Sequence, residues 1–295
     1  MAYNWLGTDF IPLIITYSLS FLVLVIGSIT DLKTREVPDW VNYGLVLTGL
    51  GLNLLFSIIY SNSSFIISSI LGLSIFFGIA YIMFYAGQWG GGDSKMLMGL
   101  GAMIGFDVGD ASRQFLFGFF INALFVGAAY GLLWSFYLVM KNRKKFWSEF
   151  TKALSGKNIV KIKKLLLVSL ALFLALFLLV DMIYLKILIL SLAFLALSTF
   201  YLWIFVKSVE KSCMLKLVEP SKLTEGDWIV KDIYINGKYA AGPNDLGISR
   251  NQIKKLVQQK KIKKILIKEG IPFVPSFLIA FIITILLGNP WLLLV

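Results

Sequence analysis

Long apolar runs constrain this chain more than any other feature of its sequence. Residues 10–30, for example, would form an α-helix about 31 Å long, close to the thickness of a bilayer's hydrocarbon core. Residues 165–206 are twice as long, and Asp181 and Lys186 interrupt the centre, so this run predicts two spans joined by a hairpin. The predicted long spans are residues 10–30, 40–60, 65–87, 114–140, 165–180, 187–206 and 271–295.

One further apolar run, residues 96–106, is too short to cross a bilayer, since it would reach only about 16 Å as a helix. It predicts a short helix that fills part of the membrane, which brings the total to about eight membrane segments. The composition agrees, because 58% of the residues are hydrophobic and only 15% are charged, against about a quarter charged in soluble domains. The predicted fold class is therefore an α-helical polytopic membrane protein.

The basic residues predict how the chain is oriented. Alternate connections, residues 31–39, 88–95, 141–164 and 207–270, contain two, one, nine and fourteen Lys and Arg residues, and only Arg113 and Lys186 remain for the opposite side. Cytoplasmic loops are enriched in Lys and Arg, so both termini are expected outside the cytoplasm of a multi-pass plasma-membrane protein. The net charge of +12 is then a topology signal and a contact for anionic membrane lipid, with no need for nucleic acid.

The chain divides into four predicted parts. Residues 1–140 form an N-terminal membrane core, 141–206 a basic cytoplasmic loop with a transmembrane hairpin, 207–270 a small cytoplasmic α+β domain, and 271–295 a C-terminal transmembrane helix. In the third part, Asn236-Gly237 is typical of a hairpin turn between short strands. Ser249 and Gln252 fit a capping box that opens a helix to about residue 260, and residues 262–267 fit a last strand.

The chemistry available to this chain is narrow, because it contains no histidine and one cysteine, Cys213. Ser-His and Cys-His catalysis, histidine zinc sites and intrachain disulfides are excluded, and we expect neither a metal nor another cofactor. The informative acids are Asp31, directly after the first span, and Asp93, after the glycine run 90–92. Both lie on the predicted cytoplasmic side, where two carboxyl groups brought together could share a proton, as in aspartic proteases.

Each acid also has an ordinary interpretation. An Asp after a glycine run usually caps a helix, and Asp31 beside Lys33 and Arg35 could be a solvated loop residue. Asp39 is expected to be such a loop residue, whereas Asp9, Asp107, Asp110 and Asp181 are predicted on the opposite side. Helix polarity favours an anion at Asp93, at the start of the short helix, and a proton on Asp31, at the end of its span.

Two segments together resemble the type IV prepilin peptidase family, and in particular its archaeal preflagellin peptidases. The members of this family are intramembrane aspartyl proteases of the GxGD type. The two segments are residues 31–38 (DLKTREVP) and residues 90–97 (GGGDSKML), and residues 270–275 (GIPFVP) resemble the start of the family's last span. The likeness covers residues 20–110 and the last 30. It implies that Asp31 and Asp93 are the catalytic aspartates and that Gly90 and Gly92 shape the active site.

The resemblance also implies a substrate. A pilin-like or archaellin precursor would lose a short basic leader at the cytoplasmic face, without N-methylation, because the paired C-x-x-C motifs of methylating relatives are absent. A small ion- or proton-coupled transporter with Asp31 and Asp93 as ligands is the alternative from another class, and a membrane scaffold whose domain docks a partner is a third. A transporter should show inverted repeats and a charge near the midplane, and the sequence shows neither.

Overall fold

The computed structural model describes residues 10–106, 115–235, 237–259 and 262–288. Six helices in this part of the chain are long and apolar enough to cross a membrane, so the protein is a polytopic α-helical membrane protein, as predicted. They are α1 (Phe10–Thr34), α2 (Asp39–Ile59), α3 (Ser64–Tyr85), α5 (Phe115–Lys141), α7 (Lys157–Leu179) and α8 (Ile183–Val209). Two apolar helices are shorter, α4 (Gly91–Ile104) and α10 (Val274–Leu287), and residues 289–295 of the predicted last span lie outside the described residues.

Helix α4 forms the centre of the membrane core. It packs against α1, α2 and α3, and its large side chains are almost completely buried. The helix has 14 residues and is about 21 Å long, which is shorter than a bilayer's hydrocarbon core. Met96, Leu97, Leu100 and Met103 are therefore surrounded by other helices rather than by lipid.

Glycines allow α3 and α4 to approach each other closely. A Cβ atom on Gly72 of α3 would collide with the backbone carbonyl of Gly101 on α4, and a Cβ on Gly101 would collide with the carbonyl of Gly72. Gly49 of α2 would collide in the same way with the backbone at Met103. Small residues that bring helix backbones together are typical of membrane packing, where hydrophobic attraction between helices is weak.

The C-terminal end of α4 needs hydrogen-bond donors, because the last four carbonyls of a helix have no partner within it. Asn53 of α2 supplies them with its side-chain amide, which donates to the carbonyls of Ala102 and Met103 at 3.3 and 3.1 Å. The hydroxyl of Ser69 on α3 also donates to the Ala102 carbonyl. These polar side chains satisfy two of the last carbonyls of α4 and so help the helix to end inside the apolar core.

The basic connection at 141–164 is largely helical. It contains α6 (Arg143–Leu154), and α7 already begins at Lys157. Phe146 of α6 is buried, with its ring 5.5 Å from that of Phe205 on α8. The predicted break of the 165–206 run is confirmed, since α7 ends at Leu179 and α8 begins at Ile183.

After α8 and a π-helical turn (Glu210–Met214), the chain forms a C-terminal domain, residues 215–268, as short strands and one helix. The strands are β1 (Leu215–Val218), β2 (Trp228–Ile229), β3 (Ile233–Ile235), β4 (Lys238–Ala241) and β5 (Ile265–Lys268). An antiparallel sheet has the order β1-β5-β2, and β3 and β4 form the predicted hairpin, whose Gly237 has a φ of 77° and whose Asn236 lies outside the described residues. Helix α9 (Arg250–Val257) starts with the predicted capping box and ends before residue 260, which is not described.

We expect Gly72→Ala to destabilise the protein by about 1–3 kcal/mol, the usual cost of overpacking a close contact. The reason is that the new methyl group has no space against the α4 backbone. Thermal unfolding in detergent would measure the loss. Gly78→Ala on the same helix is the matched control, because nothing lies within 4 Å of a Cβ there. Equal melting temperatures for the two variants would contradict this account of the α3–α4 contact.

Candidate functional site

Asp31 lies in the last turn of α1, which continues to Thr34, rather than after the helix as predicted. Its side chain is buried, with 5% of its surface exposed. The backbone N–H of Val274, the first residue of α10, donates to its Oδ2 at 3.0 Å. The C-terminal helix thus contacts Asp31 directly, which the sequence argument did not predict, although it noted the proline-rich start of that helix.

Arg35 connects this end of α1 with two other parts of the molecule. Its φ of 62° is in the left-handed region, which ends the helix. The guanidinium lies 5.1 Å from the ring centre of Trp134 on α5 and donates to the carbonyl of Gly270 at 3.4 Å. The basic residue of the 31–38 motif therefore fixes the helix end beneath the start of the last membrane segment.

Asp93 lies within the first turn of α4, because that helix begins at Gly91 and not near residue 96 as predicted. Its Oδ2 accepts the backbone N–H of Gly90 at 3.0 Å. A Cβ on Gly90 would lie 3.3 Å from this same oxygen, whereas a Cβ on Gly92 would be in ordinary contact with Val37, at 3.5 Å. Gly90 thus sets the position of the carboxyl group more strictly than Gly92.

The helix-polarity argument for the shared proton is incomplete. It placed Asp31 at the negative end of α1, but the carboxyl group also lies at the positive, N-terminal end of α10 through the Val274 N–H. Asp93 lies at the N-terminal end of α4. Both carboxyl groups therefore face a helix N-terminus, and Asp31 alone also lies at a helix C-terminus, so the difference between them is smaller than predicted.

The structure brings Asp31 and Asp93 together at one cavity of about 1140 Å³, which Gly90 and Gly92 also line. The carboxyl groups are close enough for charge on Asp31 to act on Asp93. The C-terminal domain forms the opposite wall of the cavity, and a Cβ on Gly87, in the α3–α4 turn, would lie 3.2 Å from the Trp228 ring of that domain. The cavity is thus enclosed between the membrane core and the strand-containing domain.

This cavity is lined by half of the chain's 16 Asp and Glu residues but by only a quarter of its 28 Lys and Arg residues. Besides Asp31 and Asp93, the acids are Glu36, Asp39, Glu219, Glu225, Asp227 and Glu269. Four of these six form ion pairs, which are Asp39–Lys95, Glu219–Lys222, Glu225–Arg250 and Glu269–Lys216. Glu36 and Asp227 form none with any described residue. The wall is therefore far more acidic than the rest of this basic protein.

The remaining acids considered in the sequence do not join Asp31 and Asp93. Asp39 reaches the cavity but is exposed and paired with Lys95, and Asp181 lies in the α7–α8 connection. Asp9, Asp107 and Asp110 lie outside the described residues. Among the residues that are described, no group of three His, Cys, Asp or Glu side chains could hold a metal ion.

Comparisons with known proteins agree with the motif positions. Residues 18–132 match the model of the type IV leader peptidase family, and this range includes Asp31, Asp93 and the glycine run. The N-terminal membrane region is therefore similar to that family, in agreement with the predicted relationship. No solved structure matches the chain.

Three curated relatives are archaeal proteins named preflagellin peptidase. Those of Methanococcus voltae, Methanocaldococcus jannaschii and Methanococcus maripaludis are 44%, 41% and 40% identical to this chain over 90 residues. Each alignment covers 30% of this chain and 38% or 39% of the relative. The chain thus matches well under half of the length of these relatives.

Among the acids of the C-terminal wall, Asp227 forms no ion pair with the residues that the structure describes, and its environment disfavours charge. Burial raises the pKa of the Asp227 carboxyl above its ordinary value of 3.8, although the N–H of Thr224 opposes this by donating to Oδ2 at 2.8 Å. The folded state then binds the proton more tightly than the unfolded state. The contribution of the protonated Asp227 carboxyl to stability is therefore fully present below the pKa of the unfolded state. It is lost as the pH rises through the pKa of the folded state.

We therefore expect Asp227→Asn to melt at the same temperature as the wild type near pH 3.8 and at a higher temperature at neutral pH. The amide keeps an oxygen for the Thr224 N–H but never becomes charged. Melting curves in detergent across this pH range would measure the difference. Glu225→Gln, which removes the ion pair with Arg250, should instead leave stability unchanged or slightly lower. A neutral-pH loss in Asp227→Asn would contradict the assigned cost of burial.

Proposed function

We propose that this protein is a membrane aspartyl endopeptidase that removes leader peptides from type IV pilin-like or archaellin precursors. The observation that carries the proposal is that Asp31 and Asp93, from different helices, line one cavity within the region that matches a leader peptidase family. The names of the three relatives support a preflagellin-like substrate. The active site would face the cytoplasm, in keeping with the basic connections on that side.

In the proposed mechanism, Asp31 and Asp93 share one proton. The ionised carboxylate takes a proton from a water molecule as this attacks the scissile carbonyl, and the protonated carboxyl donates a hydrogen bond to the carbonyl oxygen. The proton then passes to the leaving amine. The Val274 and Gly90 N–H groups each donate to one carboxyl oxygen of Asp31 and Asp93 and so hold the two carboxyl groups in position.

The proposed substrate has a short basic leader ahead of a hydrophobic helix. The helix would stay in the membrane while the leader enters the cavity beneath the C-terminal domain, so the scissile bond would lie at the level of the two aspartates. The product would leave without N-methylation. Cleaved precursor should therefore carry an unmodified N-terminus, which mass spectrometry of the product would test.

We expect Asp31→Asn and Asp93→Asn each to lower precursor cleavage by at least about a thousandfold. An amide can neither accept the proton of water nor complete a shared-proton pair, and removal of one essential member of such a pair costs nearly the whole chemical step. Purified protein or membranes would be incubated with a panel of pilin-like and archaellin precursors, and leader removal would be followed by gel shift and mass.

Asp39→Asn and Asp181→Asn are the matched controls, because they remove one carboxylate outside the proposed pair. Both should keep most of the activity, and melting temperatures of all four variants would confirm folding. Equal loss in the controls would show that the effect comes from charge or folding. If the wild type cuts none of the precursors, the proposed activity itself fails.

We expect Gly90→Ala to lower kcat about tenfold or more, while Gly92→Ala keeps most of it. The Gly90 methyl group would press on Asp93 Oδ2, and a displacement of the reacting group by a fraction of an ångström is costly in catalysis. The Gly92 methyl group has room against Val37. Steady-state cleavage kinetics would measure both variants. The reverse order of effects would contradict the assigned role of Gly90.

A further inference from the structure

Two carboxylates of the cavity wall remain after the proposed catalytic pair and the ion-paired acids are assigned. Glu36 lies on the membrane side, between α1 and α2, and Asp227 lies on the opposite wall, in the C-terminal domain. Neither forms an ion pair with a described residue. In a chain with a net charge of +12, carboxyl groups that form no ion pair with the described residues need a separate explanation.

Glu36 is the more unusual of the two. Its Oε1 atom is buried and has no hydrogen-bond partner. A buried acceptor without a donor costs about 1–3 kcal/mol, and a carboxylate oxygen is the acceptor that most needs one. The next residue, Val37, packs against Gly92 at the start of α4, which holds Glu36 close to the level of Asp93.

Asp227 has a comparable position on the other wall. The adjacent Trp228 lies against Gly87 in the α3–α4 turn, so Asp227 is held at the rim where the domain meets the membrane core. Burial raises the pKa of its carboxyl group, and a cation supplied by a ligand would lower that pKa again. The two side chains thus bracket the cavity from opposite sides.

We propose that Glu36 and Asp227 bind the basic side chains of the leader and so determine substrate specificity. This inference rests on the proposed function. A Lys or Arg side chain supplies the donors that Glu36 Oε1 lacks and an ion-pair partner for each carboxyl group, and an Arg can bond two carboxylate oxygens at once. The C-terminal domain, which lies outside the matched family region, would then act as one half of the substrate site.

The test is a double-mutant cycle between enzyme and substrate. One precursor keeps its basic leader, and in the second the leader's Lys and Arg residues are replaced by Gln. Each is cleaved by the wild type, Glu36→Gln, Asp227→Asn, the double variant and Glu149→Gln. Glu149 is on α6, away from the cavity, and pairs with Lys152, so its variant controls for the loss of one negative charge.

We expect each single variant to raise KM for the basic leader about 5- to 10-fold, with kcat little changed and no effect on the neutral leader. Glu149→Gln should match the wild type on both precursors. Equal losses on both precursors, or no loss on the basic one, would overturn the proposal. If Glu36→Gln does not fold, Asp227→Asn, for which we expect no loss of stability at neutral pH, decides the test alone.

Failure of this inference can be separated from failure of the proposed function. If only this inference fails, the wild type cuts the basic precursor and Asp93→Asn does not. The difference in cleavage between the two precursors is then the same in the Glu36 and Asp227 variants as in the wild type. If the proposed function fails, the wild type cuts neither precursor, whatever the leader charge. Melting temperatures of each variant complete the comparison.

Discussion

The membrane core depends on the burial of a helix that is too short to cross the membrane. A helix that ends within apolar surroundings must find donors for its last carbonyls, and α4 finds them in the amide of Asn53 and the hydroxyl of Ser69. The close approach at Gly72 and Gly101 brings the α3 and α4 backbones together. With its C-terminal end fixed in this way, α4 holds Asp93 at its other end, on the cavity.

The second aspartate depends on a different contact. Asp31 is on the first helix, but the group that fixes its carboxyl oxygen is the N–H of Val274, 243 residues later in the chain. The last helix therefore closes the site from the other end of the sequence. This also explains why the region that matches the family, residues 18–132, holds both aspartates but not the whole of their environment.

Much of this arrangement could be predicted from the sequence, because membrane spans and short motifs are local signals. Six of the seven long apolar runs, the break near Asp181, the capping box at Ser249 and the position of the two aspartates at helix ends are found in the described residues. Helix α4 was predicted to begin at residue 96 but begins at Gly91. Three consecutive glycines have low helix propensity, and burial of the helix in the core compensates for that cost. Helix α6 was not predicted, because its many basic residues indicated a loop, although Phe146, Trp147 and Phe150 have helical spacing.

The missed features are contacts between distant segments. The Val274 bond to Asp31, the contact of Trp228 with Gly87 and the acidic cavity wall join parts of the chain that no local pattern relates. The helix-polarity argument for the shared proton was incomplete for the same reason, because it considered each aspartate only on its own helix. Electrostatic arguments from sequence therefore need the neighbouring helix ends as well, and these appear only when the helices are packed.

The charge distribution carries a final consequence. The surplus of Lys and Arg predicts the orientation of the chain in the membrane, and it would also repel the proposed cationic leader from the same face. Ion pairing within the cavity wall removes much of that repulsion, because Lys95, Lys216, Lys222 and Arg250 are each paired with an acid. Glu36 and Asp227 then remain as acids of this wall that form no ion pair with the described residues. The proposed basic leader could thus be attracted into the cavity of a basic protein, because charges within a cavity are screened less by salt than those on the exposed surface.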